Sequence, residues 1–426
     1  MTPFHPPWPP EAQPRSSLRR LVWGAWLAGM LMLLTACGSL PSNVARPESH
    51  ALAQPQGTPL AALADVRRPA SARNGDAGDS GFALIGSANE AYSSRLALTE
   101  RATRTLDIQY YAIHSDASTR ELLRAVHAAA ARGVRVRILL DDFNSTGRNA
   151  LVMAMAFLPN VEMRMFNPLP GRRGAGALRA LGSLGDFKRI QHRMHNKLYI
   201  ADNAWGITGG RNLGDSYFGT ADGSNFIDMD VLAVGPVVRA MSNSFDNYWN
   251  NPLAYPVQSL ITPDELRALH QSTTPNRTAE PPASGATAAG HEAGHAATAP
   301  SAGVRPDAAA PPALPRAMDL DTLRLTWAPA LLLVDKPSKL VPELNDEHTD
   351  DTVVDGMLNL MQRARRDALI VSPYFVPGPE MMKVFAGMRA RGVRVRVLTN
   401  SLASNDAPLA HVGYARYRKE LIRLGV

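Results

Sequence analysis

An internal repeat is the sequence feature that most constrains the fold. The hexapeptide Arg-Gly-Val-Arg-Val-Arg occurs at residues 132–137 and again at residues 391–396. Each copy is preceded by an apolar stretch typical of a strand and by a segment with helical spacing, and its own alternation of apolar and basic residues predicts a second strand. A strand-helix-strand unit that occurs twice predicts an α/β fold with two pseudo-symmetric halves.

The boundaries of the two units can be placed from local signals. In the first unit, residues 106–111 predict a strand, residues 118–121 form a capping-box pattern that begins a helix, and Gly133 ends that helix. In the second unit, residues 368–371 predict the strand, and Gly392 ends the helix. The elements match in order, so the repeat extends beyond the shared hexapeptide.

The N-terminus has the layout of a secretory signal. Basic residues precede an uncharged apolar stretch from Leu21 to Ala36, and Cys37, the only cysteine, follows directly. The residues around Cys37 resemble a bacterial lipoprotein box, which implies a signal peptide over residues 1–36, lipidation of Cys37 and a location on the exported side of the cell envelope. The alternative is an uncleaved membrane anchor. Both interpretations attach the protein to a membrane.

Composition predicts two further breaks in the chain. Residues 37–79 are rich in Pro, Ala, Ser and Gly without a sustained period, which predicts a flexible tether. Residues 271–317 are richer still in Ala, Pro and Gly and predict a disordered linker. The halves of the fold are therefore expected at residues 80–270 and 318–426.

Cysteine content and charge exclude some functions and leave others open. A single cysteine excludes an intramolecular disulfide framework and a cysteine-based zinc site. Asp141 and Asp142 end a predicted strand, but no third ligand accompanies them, so we expect no metal site there. The formal charge of +7 suits a surface of anionic lipids or another phosphate-bearing partner. Charge alone does not choose between lipid and nucleic acid.

One motif has the residue types that phosphate chemistry requires. A strand is predicted around residues 198–200, and residues two apart on a strand share a face, so we expect the side chains of His195 and Lys197 to project together from it. Imidazole can be neutral and nucleophilic near neutral pH, and an adjacent ammonium neutralises the charge on phosphoryl oxygens. Asp202 is seven residues from His195 and therefore does not share its face, so we expect it to have a structural role. A turn at residues 201–204 should connect to a second strand.

The spacing His-x-Lys-x4-Asp, followed by a Gly-Gly-x-Asn segment that ends at Asn212, resembles the signature of the phospholipase D superfamily. Further stretches resemble its cardiolipin synthase branch, over roughly residues 80–270 and 318–426. The stretches that carry the resemblance are 107–111, 193–202, 209–212, 228–231, 399–402 and 411–414.

This resemblance implies a phospholipase D-like fold in which each half contributes one motif to a shared site without metal or cofactor. It implies that His195 is a catalytic histidine, that Lys197 and Asn212 hold phosphoryl oxygens, and that Asp202 supports the motif. It implies that a downstream acidic residue, for which we choose Asp230, orients the histidine.

The sequence departs from the family pattern at two points. Gly210 stands where many members have a serine, and His-x-Lys-x4-Asp occurs only once in the sequence. We therefore expect a C-terminally truncated member with an incomplete second half. The acid that protonates the leaving alcohol would then have to come from a homodimer partner or from a complementing second half. The favoured function is phosphatidyl transfer of cardiolipin synthase type on membrane phospholipids, through a phosphohistidine. The alternatives are a phospholipase D or phosphodiesterase hydrolase and an inactive fragment, and nucleic acid is the less favoured partner.

Overall fold

The structure is a computed structural model that describes residues 40–73, 78–142, 150–169, 193–221, 225–262, 264–267, 314–337, 353–404 and 408–426. They form two compact units. The first comprises the described residues up to 267 together with 314–330, and the second comprises those from 331 onward. The predicted signal peptide, Cys37 and nearly all of the predicted linker lie outside the described residues.

Within the described residues, the first unit is built on one mixed sheet of nine strands. The strands are β1 (Ser80–Ile85), β2 (Thr105–Tyr110), β3 (Arg135–Asp141), β4 (Val161–Phe166), β5 (Leu198–Ala201), β6 (Trp205–Gly209), β7 (Asp230–Val234), β8 (Ala254–Pro256) and β9 (Thr326–Ala328). They lie in the order β8-β4-β3-β2-β5-β6-β7-β1-β9. Strands β2, β3 and β4 are parallel, and every other neighbouring pair is antiparallel.

Helices cover both faces of this sheet. The helices of the first unit are α1 (Pro59–Arg67), α2 (Ala88–Arg101), α3 (Ala117–Ala131), α4 (Ala150–Ala154) and α5 (Pro236–Trp249). On one face, Arg95 of α2 donates its Nε hydrogen to the Tyr110 hydroxyl over 2.9 Å. On the other, Arg137 pairs with Asp107 and lies over the Phe245 ring of α5. No helix among the described residues is long and apolar enough to cross a bilayer.

The second unit repeats part of this arrangement. Its elements are α6 (Val353–Gln362), β10 (Asp367–Val371), α7 (Gly378–Ala390), β11 (Arg394–Leu398), α8 (Pro408–Ala415) and α9 (Arg418–Leu424). Strands β10 and β11 are parallel, as β2 and β3 are. The buried core of this unit comprises Phe375, Met382, Phe385, Met388, Val393, Val395 and Leu421.

The predicted α/β fold and its repeated strand-helix-strand unit are confirmed. The two copies are β2-α3-β3 and β10-α7-β11. Gly133 and Gly392 each follow the helix with positive φ, 95° and 78°, a conformation in which glycine avoids the steric cost of a Cβ atom. One local detail differs, because α3 is capped by Asp116, whose Oδ1 accepts the Thr119 N–H, and not by the expected pattern at residues 118–121.

Part of the predicted tether packs against the first unit. Leu60 on α1 is 1% exposed, and its carbonyl oxygen accepts the Trp205 Nε1–H over 2.8 Å. Upstream, the carbonyl oxygen of Ser49 accepts a hydrogen bond of 2.9 Å from Arg137 Nη1. The prediction of a flexible tether over residues 37–79 is therefore wrong for this part, because the short helix has an apolar face and buried arginines bind the extended chain before it.

The predicted start of the second half is also wrong. The Met318 N–H donates to the Ser93 carbonyl over 3.0 Å, and Leu320 is fully buried in the first unit. Strand β9 pairs with β1, with Thr326 opposite Phe82. The boundary between the units therefore falls after Ala330 and not before residue 318, because this segment completes an edge of the nine-stranded sheet.

Candidate active site

The strand directions bring distant parts of the sequence to one edge of the large sheet. The parallel strands β2, β3 and β4 end there, and β5 begins there, because it runs antiparallel to β2 with Leu198 opposite Gln109. Strand β6 ends and β7 begins at the same edge, with Gly209 opposite Asp230. The His-x-Lys segment and the Gly-Gly-x-Asn segment therefore meet although a hairpin separates them.

His195 and Lys197 lie just before β5 and not within it. Residues 193–197 have no regular secondary structure, so the expectation that both side chains project from a strand is wrong in detail. The two residues are nevertheless coupled, because the Lys197 Nζ donates to the His195 carbonyl oxygen over 2.9 Å.

The imidazole of His195 is held in its neutral form. Its ring stacks on the Tyr111 ring with centroids 4.0 Å apart and planes 21° apart. Partial burial of the ring, followed by the positive charges of Lys197 and Arg193, lowers the pKa of His195 to about 4. The residue still exposes part of its surface to solvent. A neutral, accessible imidazole is the state that a nucleophile requires.

Two opposing effects act on the pKa of the Lys197 ammonium. Burial lowers the pKa of Lys197, while the carboxylates of Asp228 and, less strongly, Asp230 raise it. The Nζ atom lies 5.9 Å from the centroid of the Tyr111 ring that stacks on His195. The cation therefore lies beside the imidazole, as charge neutralisation on a bound phosphate requires.

A buried carboxylate fixes the segment that carries His195. Asp141, at the end of β3, accepts hydrogen bonds from Arg193 Nε over 2.8 Å and from the Met194 N–H over 2.9 Å. Sequence reasoning examined Asp141 only as a metal ligand and missed this contact, although its place at a strand end was a usable signal. Within the described residues, no group of three or more His, Cys, Asp or Glu side chains is placed to hold a metal ion.

Asp202 lies at the opposite end of β5 from Lys197. Its buried carboxylate accepts the Thr103 N–H at 3.0 Å, the Arg104 N–H at 2.8 Å and the Thr105 N–H at 2.9 Å. At about 3.3 Å per residue the strand separates Asp202 from Lys197 by roughly 15 Å. Its contacts therefore join the β5–β6 turn to the start of β2, and the structure does not bring it to His195.

Asn212 stands at the same edge as His195. Its Oδ1 accepts the Ala112 N–H over 3.2 Å, and its Nδ2 donates to the Tyr217 hydroxyl over 2.9 Å. These contacts fix the orientation of the amide. Because an amide nitrogen carries two hydrogens, Asn212 Nδ2 has a second hydrogen that it can donate to a phosphoryl oxygen.

Asp230 and Asp228 occupy different environments. The buried Asp230 carboxylate pairs with Arg95 at 2.9 Å and with Arg211 at 3.5 Å, which ties it into the scaffold below the site. By contrast, a Cβ atom placed on Gly210 would clash with the Asp228 carboxylate. The glycine at this position therefore makes room for Asp228, which sequence reasoning did not single out and which, with Asp230, raises the pKa of Lys197.

The first unit has a mixed sheet with a His-x-Lys segment at one edge, and the second unit repeats one strand-helix-strand part of that fold. This combination is the one expected of the phospholipase D class. A family model described as "Cardiolipin synthase, PLD-like domain" matches residues 96–249 and 357–426, more than half of the chain. The chain belongs to this family.

The chain is similar to several individual proteins. Cardiolipin synthase C of Escherichia coli strain K12 is 36% identical over 337 residues, which are 79% of this chain and 66% of that protein. Cardiolipin synthase of Geobacillus kaustophilus is 29% identical over 185 residues, covering 43% and 34% of the two chains. The crystal structure of phosphatidylserine synthase from Haemophilus influenzae Rd KW20 matches 85% of this chain and 73% of that chain, with 13% identity and a TM-score of 0.47. The chain spans about two thirds or less of these cardiolipin synthases.

Proposed function

We propose that this chain carries out phosphatidyl transfer of cardiolipin synthase type, with His195 as the nucleophile. The observation that carries the proposal is the stacking of the His195 imidazole on Tyr111, with the ammonium of Lys197 bound to the His195 carbonyl oxygen. The low pKa of His195 is consistent with it. Membership of the cardiolipin synthase, PLD-like domain family supports the lipid substrate.

The first half-reaction forms a phosphohistidine. A ring nitrogen of His195 attacks the phosphorus of a phospholipid, a nitrogen–phosphorus bond forms, and the ester bond to the leaving alcohol breaks with its electron pair on that oxygen. Lys197 neutralises charge on the phosphoryl oxygens, and the Asn212 amide donates to one of them. In the second half-reaction the hydroxyl of an acceptor lipid attacks the phosphorus, gives its proton to the group that protonated the leaving alcohol, and releases His195 as the nitrogen–phosphorus bond breaks.

The leaving alcohol needs a proton, and this sequence contains a single His-x-Lys-x4-Asp motif. We propose that a second motif supplies this acid, from a complementing second half or from another copy of the chain. In a symmetric pair of chains, each His195 would serve as the acid for the other. Hydrolysis is the result if water replaces the acceptor lipid.

Trapping the intermediate tests the proposal. The protein is mixed with vesicles of phosphatidylglycerol that carries ³²P, denatured in alkali and digested, and the modified peptide is located by mass spectrometry. We expect alkali-stable, acid-labile label on His195, complete loss of label in His195→Asn, and normal labelling in His127→Asn, since His127 is an exposed residue of α3. Label on another residue, or label that survives His195→Asn, contradicts the assignment.

We also propose that the protein is attached to the exported side of the cell envelope through lipid on Cys37. The support is the basic and apolar segments that precede this single cysteine. A lipid-anchored enzyme meets its membrane substrate at a high effective concentration.

A further inference from the structure

The loop between β6 and β7 exposes apolar side chains next to the active site. Phe226 is 44% exposed, Met229 is 53% exposed and Ile227 is fully exposed. Between the last two, Asp228 turns its carboxylate toward Gly210. Solvent exposure of three large apolar residues in four positions costs free energy unless something covers them.

Contacts tie this loop directly to the residues of the site. The Phe226 N–H donates to the Ser216 carbonyl over 2.8 Å, and the Phe226 ring stacks on Tyr217 with centroids 4.9 Å apart. The hydroxyl of Tyr217 accepts the hydrogen bond from Asn212. The apolar side chains are therefore held at the rim of the site, one contact from a group that we assign to the phosphoryl oxygens.

We propose that Phe226, Ile227 and Met229, hereafter the apolar rim, contact the acyl chains of the phospholipid whose phosphate occupies the site. This inference rests on the proposed function and adds to it a binding surface for the apolar part of the substrate. In a diacyl phospholipid the chains begin only a few bonds from the phosphorus. A phosphate held by Lys197 therefore places its acyl chains within reach of the rim.

The position of the apolar rim favours lipid over a protein partner as its occupant. A partner that supplies the acid must still leave an opening through which the acyl chains of the bound lipid leave the site. These chains have to leave the site along its rim. Contact with them also keeps the reacting phosphate at the bilayer surface, because apolar side chains partition into the boundary between headgroups and chains.

The chain offers a matched control at the opposite ends of the strands. Val66 on α1 is 80% exposed and apolar. Helix α1 packs beside Trp205 at the start of β6, whereas the apolar rim follows Gly209 at its end. A probe at Val66 therefore reports general membrane attachment, and a probe at Ile227 reports insertion of the rim.

The test measures insertion with a fluorophore. In the full chain with Cys37→Ser, an environment-sensitive NBD label is attached to Ile227→Cys or to Val66→Cys. Each protein is mixed with vesicles of phosphatidylcholine and phosphatidylglycerol that carry nitroxide-labelled acyl chains. We expect a blue shift at position 227 and quenching at least twofold stronger than at position 66. Inorganic phosphate should change neither signal, because it supplies the headgroup chemistry without acyl chains.

Two results would overturn the proposal. Equal quenching at the two positions would show that the rim has no special contact with lipid. A label at position 227 that is already shielded without vesicles, and does not change when they are added, would show that protein covers the rim. The same measurement in a His195→Asn background separates this inference from the proposed function, because insertion does not require the nucleophile. A protein with His195 intact that inserts its rim but forms no phosphohistidine would contradict the catalytic assignment alone.

Discussion

The guanidinium of Arg193, two residues before His195, forms a buried ion pair with the carboxylate of Asp141, with Arg193 Nε donating to Asp141 Oδ1 over 2.8 Å. The same carboxylate accepts the Met194 N–H over 2.9 Å. The backbone before His195 is therefore fixed by the end of β3, although this backbone has no regular secondary structure. Arg193 also contributes to the low pKa of His195.

Replacing Asp141 by Asn should destabilise the protein and loosen the active site. The substitution keeps the shape of the side chain but leaves the buried Arg193 charge uncompensated, so we expect a loss of about 3 kcal/mol in the free energy of unfolding. Urea unfolding measures this loss, and NMR should show broadened His195 signals. The exposed pair of Asp264 with Arg267 is the control, since Asp264→Asn should cost less than about 0.5 kcal/mol. Equal losses for both variants would contradict a buried anchoring role.

Substitution of Asp202 should affect stability and leave the chemistry of His195 unchanged. Asp202→Ala leaves the N–H groups of residues 103–105 without their acceptor, and the buried group of Thr105 alone costs about 1–3 kcal/mol. Asp202→Asn retains one oxygen and tolerates the positive φ of 52° at this position, so it should lose less. Thermal unfolding gives the order, and the pKa of His195 should stay the same in Asp202→Asn. A shifted pKa would assign Asp202 to the site.

The titration of His195 should occur well below the ordinary range. An unfolded chain has a histidine pKa near 6.5, and the folded value is about 4, so the unfolded state binds more protons between these values. His195 therefore opposes folding increasingly as pH falls from 6.5 to 4, and it contributes no such penalty above 6.5. NMR of the imidazole measures the midpoint. Lys197→Met should raise the pKa only in part, because burial is the larger cause. A midpoint at or above 6.5 in the native protein would contradict the neutral nucleophile.

Two adjacent glycines should respond differently to an added methyl group. At Gly209 a Cβ atom would lie 2.6 Å from the Asp230 Cα and 2.7 Å from the Met229 carbonyl oxygen, which are backbone atoms. Gly209→Ala should therefore cost about 1–3 kcal/mol of stability. At Gly210 the clash is with the Asp228 carboxylate, which can turn toward solvent, so Gly210→Ala should cost less than about 1 kcal/mol. Chemical unfolding of the two variants checks the order, and the reverse order would mean that Asp228 cannot move.

Substitution of Cys37 tests the proposed anchor. Because lipid attachment requires the thiol, Cys37→Ser should leave an unprocessed precursor without lipid label. Metabolic labelling with a tritiated fatty acid and the mobility of the protein on a gel measure the two effects. The control is His195→Asn, which should be processed normally. Unchanged processing and labelling of Cys37→Ser would contradict the proposal that lipid on Cys37 anchors the protein.

Features set by neighbouring residues could be predicted from the sequence. The hairpin after Lys197 forms where the turn residues indicated it, and Asp202 and Asn203 both have the positive φ that a tight turn between twisted strands requires. The two strand-helix-strand units were equally visible, because hydrophobic periodicity and a helix-ending glycine are local properties. The spacing of His195, Lys197 and Asp202 indicated the phospholipase D superfamily for the same reason, and the family is confirmed.

The tertiary structure alone decided which distant side chains meet the motif. Asp228 and Asp230 are both acidic residues of one short stretch, but Asp230 begins β7 and pairs with buried arginines, whereas Asp228 lies in the loop before the strand and faces Gly210. The stacking of Tyr111 on His195 likewise depends on the antiparallel pairing of β2 with β5. The packing of Leu60 under Trp205 turned a segment of low-complexity composition into part of the fold. Such contacts depend on strand order and register, which arise from the summed burial of many residues and are not encoded in any short stretch of sequence.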